Sequence, residues 1–139
     1  MTSTDNDELT VKTLSRNEYS EKAEIALYGR PTAEELLVAA REFLSAEVMP
    51  ATQGRVQFHT RVTIRVLDTV IRQLQLGEEH LAQHADRLRA IGFADDWELA
   101  SAIRAGNFDD NIAEMSRLLE PDIRAKLEVA DPRYLHTDN

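Results

Sequence analysis

The chain has 139 residues, 42% of them hydrophobic and 29% charged, a size that suits one domain with a sizeable core and requires no disulfide or metal staple. It contains no cysteine, which excludes a disulfide framework, a thiolate zinc site and a cysteine nucleophile. The net charge of −9 is uneven: residues 1–24 carry three basic against six acidic side chains, residues 25–92 eight against eight, and residues 93–139 five against eleven, so an acidic C-terminal third argues against nucleic acid and anionic membrane surfaces as partners.

Residues 1–24 are polar and weakly periodic, a composition that cannot bury enough surface to offset its ordering entropy. They are expected to form a flexible acidic tail on a single helical domain, 25–139. No apolar run approaches the roughly 20 residues needed to span a bilayer, and no basic start precedes an apolar block at the N-terminus. A cytoplasmic location is expected.

From Tyr28 the character changes. Thr32 and Glu35 have the capping-box spacing, in which each side chain satisfies a backbone N–H at a helix start, and the helix AEELLVAAREFLSAEV is expected to end at Met49-Pro50. Gly54 opens a second helix over about residues 55–76, with Gly77 placed to close it. A third is expected from Glu78 to Ile91 with Gly92 as its stop. Asp95 or Asp96 can cap a fourth that ends near Gly106, Asp109 or Asp110 can begin a fifth, and Pro121 fits the first turn of a short sixth. Strand signals are absent. The expected fold is all-α, a compact helical bundle of five to six helices with a mobile N-terminal tail.

The second helix begins FHTRVTIRVLDTVIRQ, apolar yet rich in cations. At about 100° per residue, Val56, Val62, Val66, Leu67, Val70, Ile71 and Leu74 fall in one wide arc, with Arg61, Arg65, Asp68 and Arg72 opposite. Those charges read as a solvated stripe in which Asp68 is spaced to pair with Arg65 and Arg72. His59 falls inside the apolar arc, as Glu47 does on the first helix, and both lie near the Pro50–Gly54 turn. A buried imidazole needs a hydrogen-bond partner, so a Glu47–His59 contact is expected, more often structural than functional. With Arg61 these two residues form the candidate polar site.

His80 and His84 are four residues apart, so both rings can face one way and in principle share a metal. The metalloprotease pattern needs glutamate directly after the first histidine, where this chain has Leu81. Two ligands are too few, so no metal and no cofactor are expected. Trp97 stands apart from the apolar arc of its own helix; packing within the monomer is the commoner outcome, an exposed contact surface the alternative. The chain has no Gly-rich phosphate loop, nucleophile elbow or dinucleotide fingerprint.

The segments YGRPTAEELLVAAREFL (28–44), GRVQFHTRV (54–62) and DPRYL (131–135) carry a resemblance. The chain resembles a family of small bacterial helical proteins of unknown function that occur beside, or fused to, aminoglycoside-phosphotransferase-like kinases, often near acyl-CoA dehydrogenase genes. The resemblance covers residues 28–135 and puts weight on Arg30, His59, Arg61, Arg133 and Tyr134, which match its motif positions; it brings no catalytic residues. Arg65 departs from the pattern, which tends to have asparagine there. The resemblance implies a cytoplasmic, non-catalytic accessory or interaction module whose protein partner is a phosphotransferase-like kinase or an acyl-CoA dehydrogenase. The alternative is a small-molecule-binding or enzymatic helical protein with a polar pocket between helices 1 and 2. A homo-oligomer that extends an apolar face across a two-fold axis is compatible with either.

Overall fold

The computed structural model describes residues 25–136; the expected tail, 1–24, lies outside them. Every regular element among the described residues is helical, and none is long and apolar enough to cross a membrane. Five helices follow in order. Residues 25–28 form α1. The second, α2, begins as Ala33–Phe43, widens into a π-helical turn over Leu44–Val48 and finishes as Met49–Ala51; α3 is Gly54–Ala90, α4 Asp96–Arg104 and α5 Ile112–Ala130. Short 3-10 turns, Asp109–Asn111 and Pro132–His136, precede and follow α5.

The capping box at α2 is as expected. Glu35 N–H donates to Thr32 Oγ1 at 3.2 Å and Thr32 N–H donates to Glu35 Oε2 at 2.8 Å. The helix does not end at Met49-Pro50 but continues to Ala51. Proline has no N–H and its ring crowds the carbonyl four residues back, and the chain widens there, with Met49 N–H reaching Leu44 O five residues away. The helix then stops at Thr52, whose backbone is extended and whose hydroxyl donates to Val48 O.

The expected second and third helices are one. Gly77 lies in the interior of α3, which runs 37 residues and is about 55 Å long at 1.5 Å per residue. A glycine in mid-helix costs only about 1 kcal/mol, and α3 is held from both sides of it. Gly92 does act as the stop: its φ of +91° is one that glycine adopts without strain, and Phe93 N–H then returns to Leu88 O at 2.9 Å. The expected fifth and sixth helices also merge. Asp109 and Asp110 sit in the 3-10 turn, and α5 runs through the exposed Pro121.

The long helix α3 is the axis on which the others pack. Its N-terminal half pairs antiparallel with α2, through Gln75 to Glu34 at 2.6 Å, Arg41 to Asp68 at 3.3 Å and Gln57 to the Met49 carbonyl at 3.2 Å. Its C-terminal half packs on α5 and α4 around a core of Leu88, Leu99 and Met115, with Ile91, Phe93, Phe108 and Leu119 packed against it. Asp95 caps α4 as expected, accepting from Trp97 N–H and Glu98 N–H at 2.9 Å.

Candidate functional site

The expected Glu47–His59 contact is not formed. Both residues are exposed, and neither makes a hydrogen bond or ion pair among the described residues; the His59 ring instead lies edge-on to Phe58, with centroids 5.5 Å apart. The reason is angular. The line of α3 that meets α2 is marked by Gln57, Asp68 and Gln75, and His59 lies about half a turn round the helix from it. The apolar arc in the sequence was wider than the face α2 covers. Arg61 is exposed as well, so the three residues do not converge on a closed pocket.

The arginine stripe is also more engaged than its pattern implied. Arg72 is half-buried: its Nε donates to the Val129 carbonyl of α5 at 2.8 Å and its guanidinium also reaches the Thr69 hydroxyl. Asp68 pairs across to Arg41 of α2 rather than along its own helix to Arg65 and Arg72. Of the motif positions, Arg30 pairs with Glu35 at 2.6 Å beside the capping box. Arg133 forks onto both oxygens of Asp131, at 2.8 and 2.6 Å, and its hydrogen bond holds the Asp131 carboxyl below the usual carboxylate range. Tyr134 is exposed in the same turn.

The titratable groups that the fold gathers lie along the α3–α5 seam. His80 Nε2 lies 3.0 Å from Glu128. His84 contacts two carboxylates: Nε2 lies 3.1 Å from Asp96 at the start of α4, and Nδ1 lies 3.0 Å from Asp122 of α5. Arg87, one turn on, also binds Asp122. Partial burial pulls the His84 pKa down, but the hydrogen bonds and charges of Asp96 and Asp122 outweigh it, so the net shift is above the ordinary 6.5. Burial likewise pushes Asp122 up and is outweighed by Arg87 and His84, so its pKa falls below 3.8. The sequence offered the two histidines as a pair. The structure gives each its own carboxylate partners, and no group of three or more metal-ligating side chains occurs among the described residues.

A shallow depression of about 530 Å³ lies along α3, lined by Glu78, Leu81, Ala82, Ala85, Asp86 and Arg89. It contains none of Glu47, His59 and Arg61. Leu81 of that lining is 70% exposed, and Trp97 on α4 is 78% exposed, so Trp97 does not pack into the core. These two flank the contact between His84 and Asp96, one turn before the histidine and one residue after the aspartate.

A family model described as a domain of unknown function, DUF6285, matches residues 50–134, from the end of α2 through the turn after α5. The chain belongs to that family. The DUF6285 match contains His59, Arg61, the α3–α5 seam, Arg133 and Tyr134, and leaves Arg30 and Glu47 outside it. No curated protein and no solved structure matches the chain.

Proposed function

We propose that this DUF6285 protein is a non-catalytic accessory module that docks, in the cytoplasm, on a phosphotransferase-like kinase or an acyl-CoA dehydrogenase of its own pathway. The observation that carries the reading is the exposed pair Leu81 and Trp97 beside the His84–Asp96 contact. A large aromatic left in water is the kind of side chain that anchors protein interfaces. Asp95, Asp96 and Glu98 surround Trp97 in sequence, so the matching partner surface is an apolar pocket with a basic rim. The same acidic surroundings disfavour phosphate backbones and anionic lipid. The kinase and dehydrogenase come from the sequence resemblance, which supplies the class of partner and not the docking geometry.

Coexpression of the full chain with each candidate enzyme, followed by titration calorimetry of the purified components, tests this. One of the two is expected to copurify in a fixed ratio, and Trp97→Ala to weaken it by at least about tenfold, the loss typical of an interface anchor. Absence of binding to either at tens of micromolar, or binding that Trp97→Ala leaves unchanged, would overturn the proposal.

A further inference from the structure

Among the described residues, the α2–α3 hairpin has one side on which no other element packs. On α2, Leu36, Ala40, Phe43 and Glu47 are exposed at spacings of four, three and four. On α3, Val56, His59, Thr63, Val66, Val70 and Leu74 are exposed at spacings of three, four, three, four and four. This three-four alternation is the rhythm of a helix face that packs against other helices along its length. The inward lines of the hairpin run through residues such as the half-buried Leu37 and Leu44 on α2 and Ile64 and the buried Ile71 on α3. The α2 row lies about a quarter turn from that line, and the α3 row, which includes His59, between about a quarter and nearly half a turn. Because the two helices are antiparallel, both rows fall on the same side, whereas Arg72, His80 and Arg87 point to α5 elsewhere round α3. The large apolar members of the rows are 38% to 60% exposed.

We infer that this face is a homodimer interface, in which two hairpins pack into a four-helix bundle about a two-fold axis running along the hairpin. Two observations choose a second copy as the occupant. The first is extent: the rows carry six large apolar side chains, 38% to 60% exposed, along the length of both helices, and a face of that length is covered by a second hairpin of the same length. The second is charge. The contacts of Gln57 with Met49 and of Arg41 with Asp68 place Glu47 and His59 within about one turn of the same level, at the turn end of the hairpin. Neither makes a hydrogen bond or ion pair among the described residues. With the axis along the hairpin, α2 of one copy lies over α3 of the other at the same level, so each Glu47 meets the second copy's His59 and the contact is made twice. A perpendicular axis would set α2 over α2 with the ends exchanged, so that Glu47 lies over the second copy's Leu36 and the carboxylate is left against an apolar side chain. The polar pair at the end of the row thus selects one register. Leu81 continues the α3 row two turns beyond Leu74, but the docking reading is tested at Trp97 of α4, so the two tests do not depend on each other.

Sedimentation velocity on the full chain between 10 and 100 µM, on the order of the concentrations at which modest dimers assemble, is expected to give a species of twice the 15.7 kDa chain mass. Val56→Glu and Val66→Glu are expected to give a monomer whose helical circular dichroism is unchanged, since these side chains are 58% and 56% exposed in the single chain. Glu47→Lys is expected to weaken the dimer by about tenfold or more, and Glu47→Lys with His59→Glu to restore it. The charge pair reads the register independently of the valine variants. A monomer throughout the concentration range would overturn the inference, as would a dimer insensitive to the two valine substitutions or a charge swap that fails to restore association.

Discussion

His84 is the side chain on which three helices meet. It belongs to α3, and the carboxylates of Asp96 and Asp122 reach it from α4 and α5, with Arg87 sharing Asp122. Its pKa is raised, so the charged ring stabilises the fold below the ordinary 6.5 and that contribution is lost as pH rises through the raised value. Asp122 is lowered, so its contribution is present above 3.8 and is lost only as pH falls through its lowered value. The network is therefore complete between those limits and weakens on the alkaline side first. Melting temperature should fall by a few degrees between pH 6 and pH 8.5, on the order of one lost charge-assisted contact, and His84→Gln should remove most of that slope. Parallel pH profiles for the two proteins would show that the histidine does not carry it. The sequence displayed His80 and His84 plainly, but their partners lie 48, 12 and, for the Arg87–Asp122 contact that completes the cluster, 35 residues away. No local pattern could assign them.

Gly77 makes the corresponding argument for elements. It is the one glycine that sits inside a helix, and a Cβ added to it would meet only Gln73 Cγ at 3.8 Å, an ordinary contact. Its backbone is not in the left-handed region that glycine favours. Gly77→Ala should therefore stabilise the protein by about 0.5–1 kcal/mol, through the lower helix propensity of glycine and the entropy it adds to the unfolded chain. Chemical denaturation measures this, and a loss of stability would mean that α3 needs a flexible point there. The features of the fold that could be read from sequence were those set within one turn: Thr32 with Glu35, Asp95 at α4 and Gly92 at the end of α3. Gly77 and Pro121 lie inside helices and not at their boundaries, because the local cost of each is outweighed by ties on both sides. Arg72 and His80 anchor α3 to α5 on either side of Gly77. Leu119 packs on the core before Pro121, and Asp122 binds Arg87 after it. The Glu47–His59 expectation failed for a related reason: periodicity locates an apolar arc but not which part of it the neighbouring helix covers.

Over the whole molecule the apolar side chains divide into two populations. Leu88, Leu99 and Met115 are buried where α3, α4 and α5 meet, whereas the α2–α3 hairpin divides its large apolar residues about evenly between exposed and half-buried positions and fully buries only Ile71 among them, beside Thr60. Sixteen large hydrophobic residues are exposed among the described residues against four buried ones, and eight of the sixteen lie on the α2–α3 hairpin between Leu36 and Leu74, the segment that the inferred homodimer would cover. Truncation in the core and on the hairpin should then behave differently. Leu99 is 4% exposed, and Leu99→Ala should cost about 2–5 kcal/mol through lost burial and the cavity left behind. That cost arises within one chain and should not depend on protein concentration. Phe43 is 60% exposed and lies in the hairpin row, so Phe43→Ala should cost little in dilute solution and more as concentration rises, because its burial is supplied by the second copy. Melting curves recorded over a hundredfold range of concentration, on the order of 1 to 100 µM, separate the two behaviours. If the Phe43→Ala deficit stays constant over that range, the side chain is stabilising within the monomer and the outward face of the hairpin is not where the copies meet.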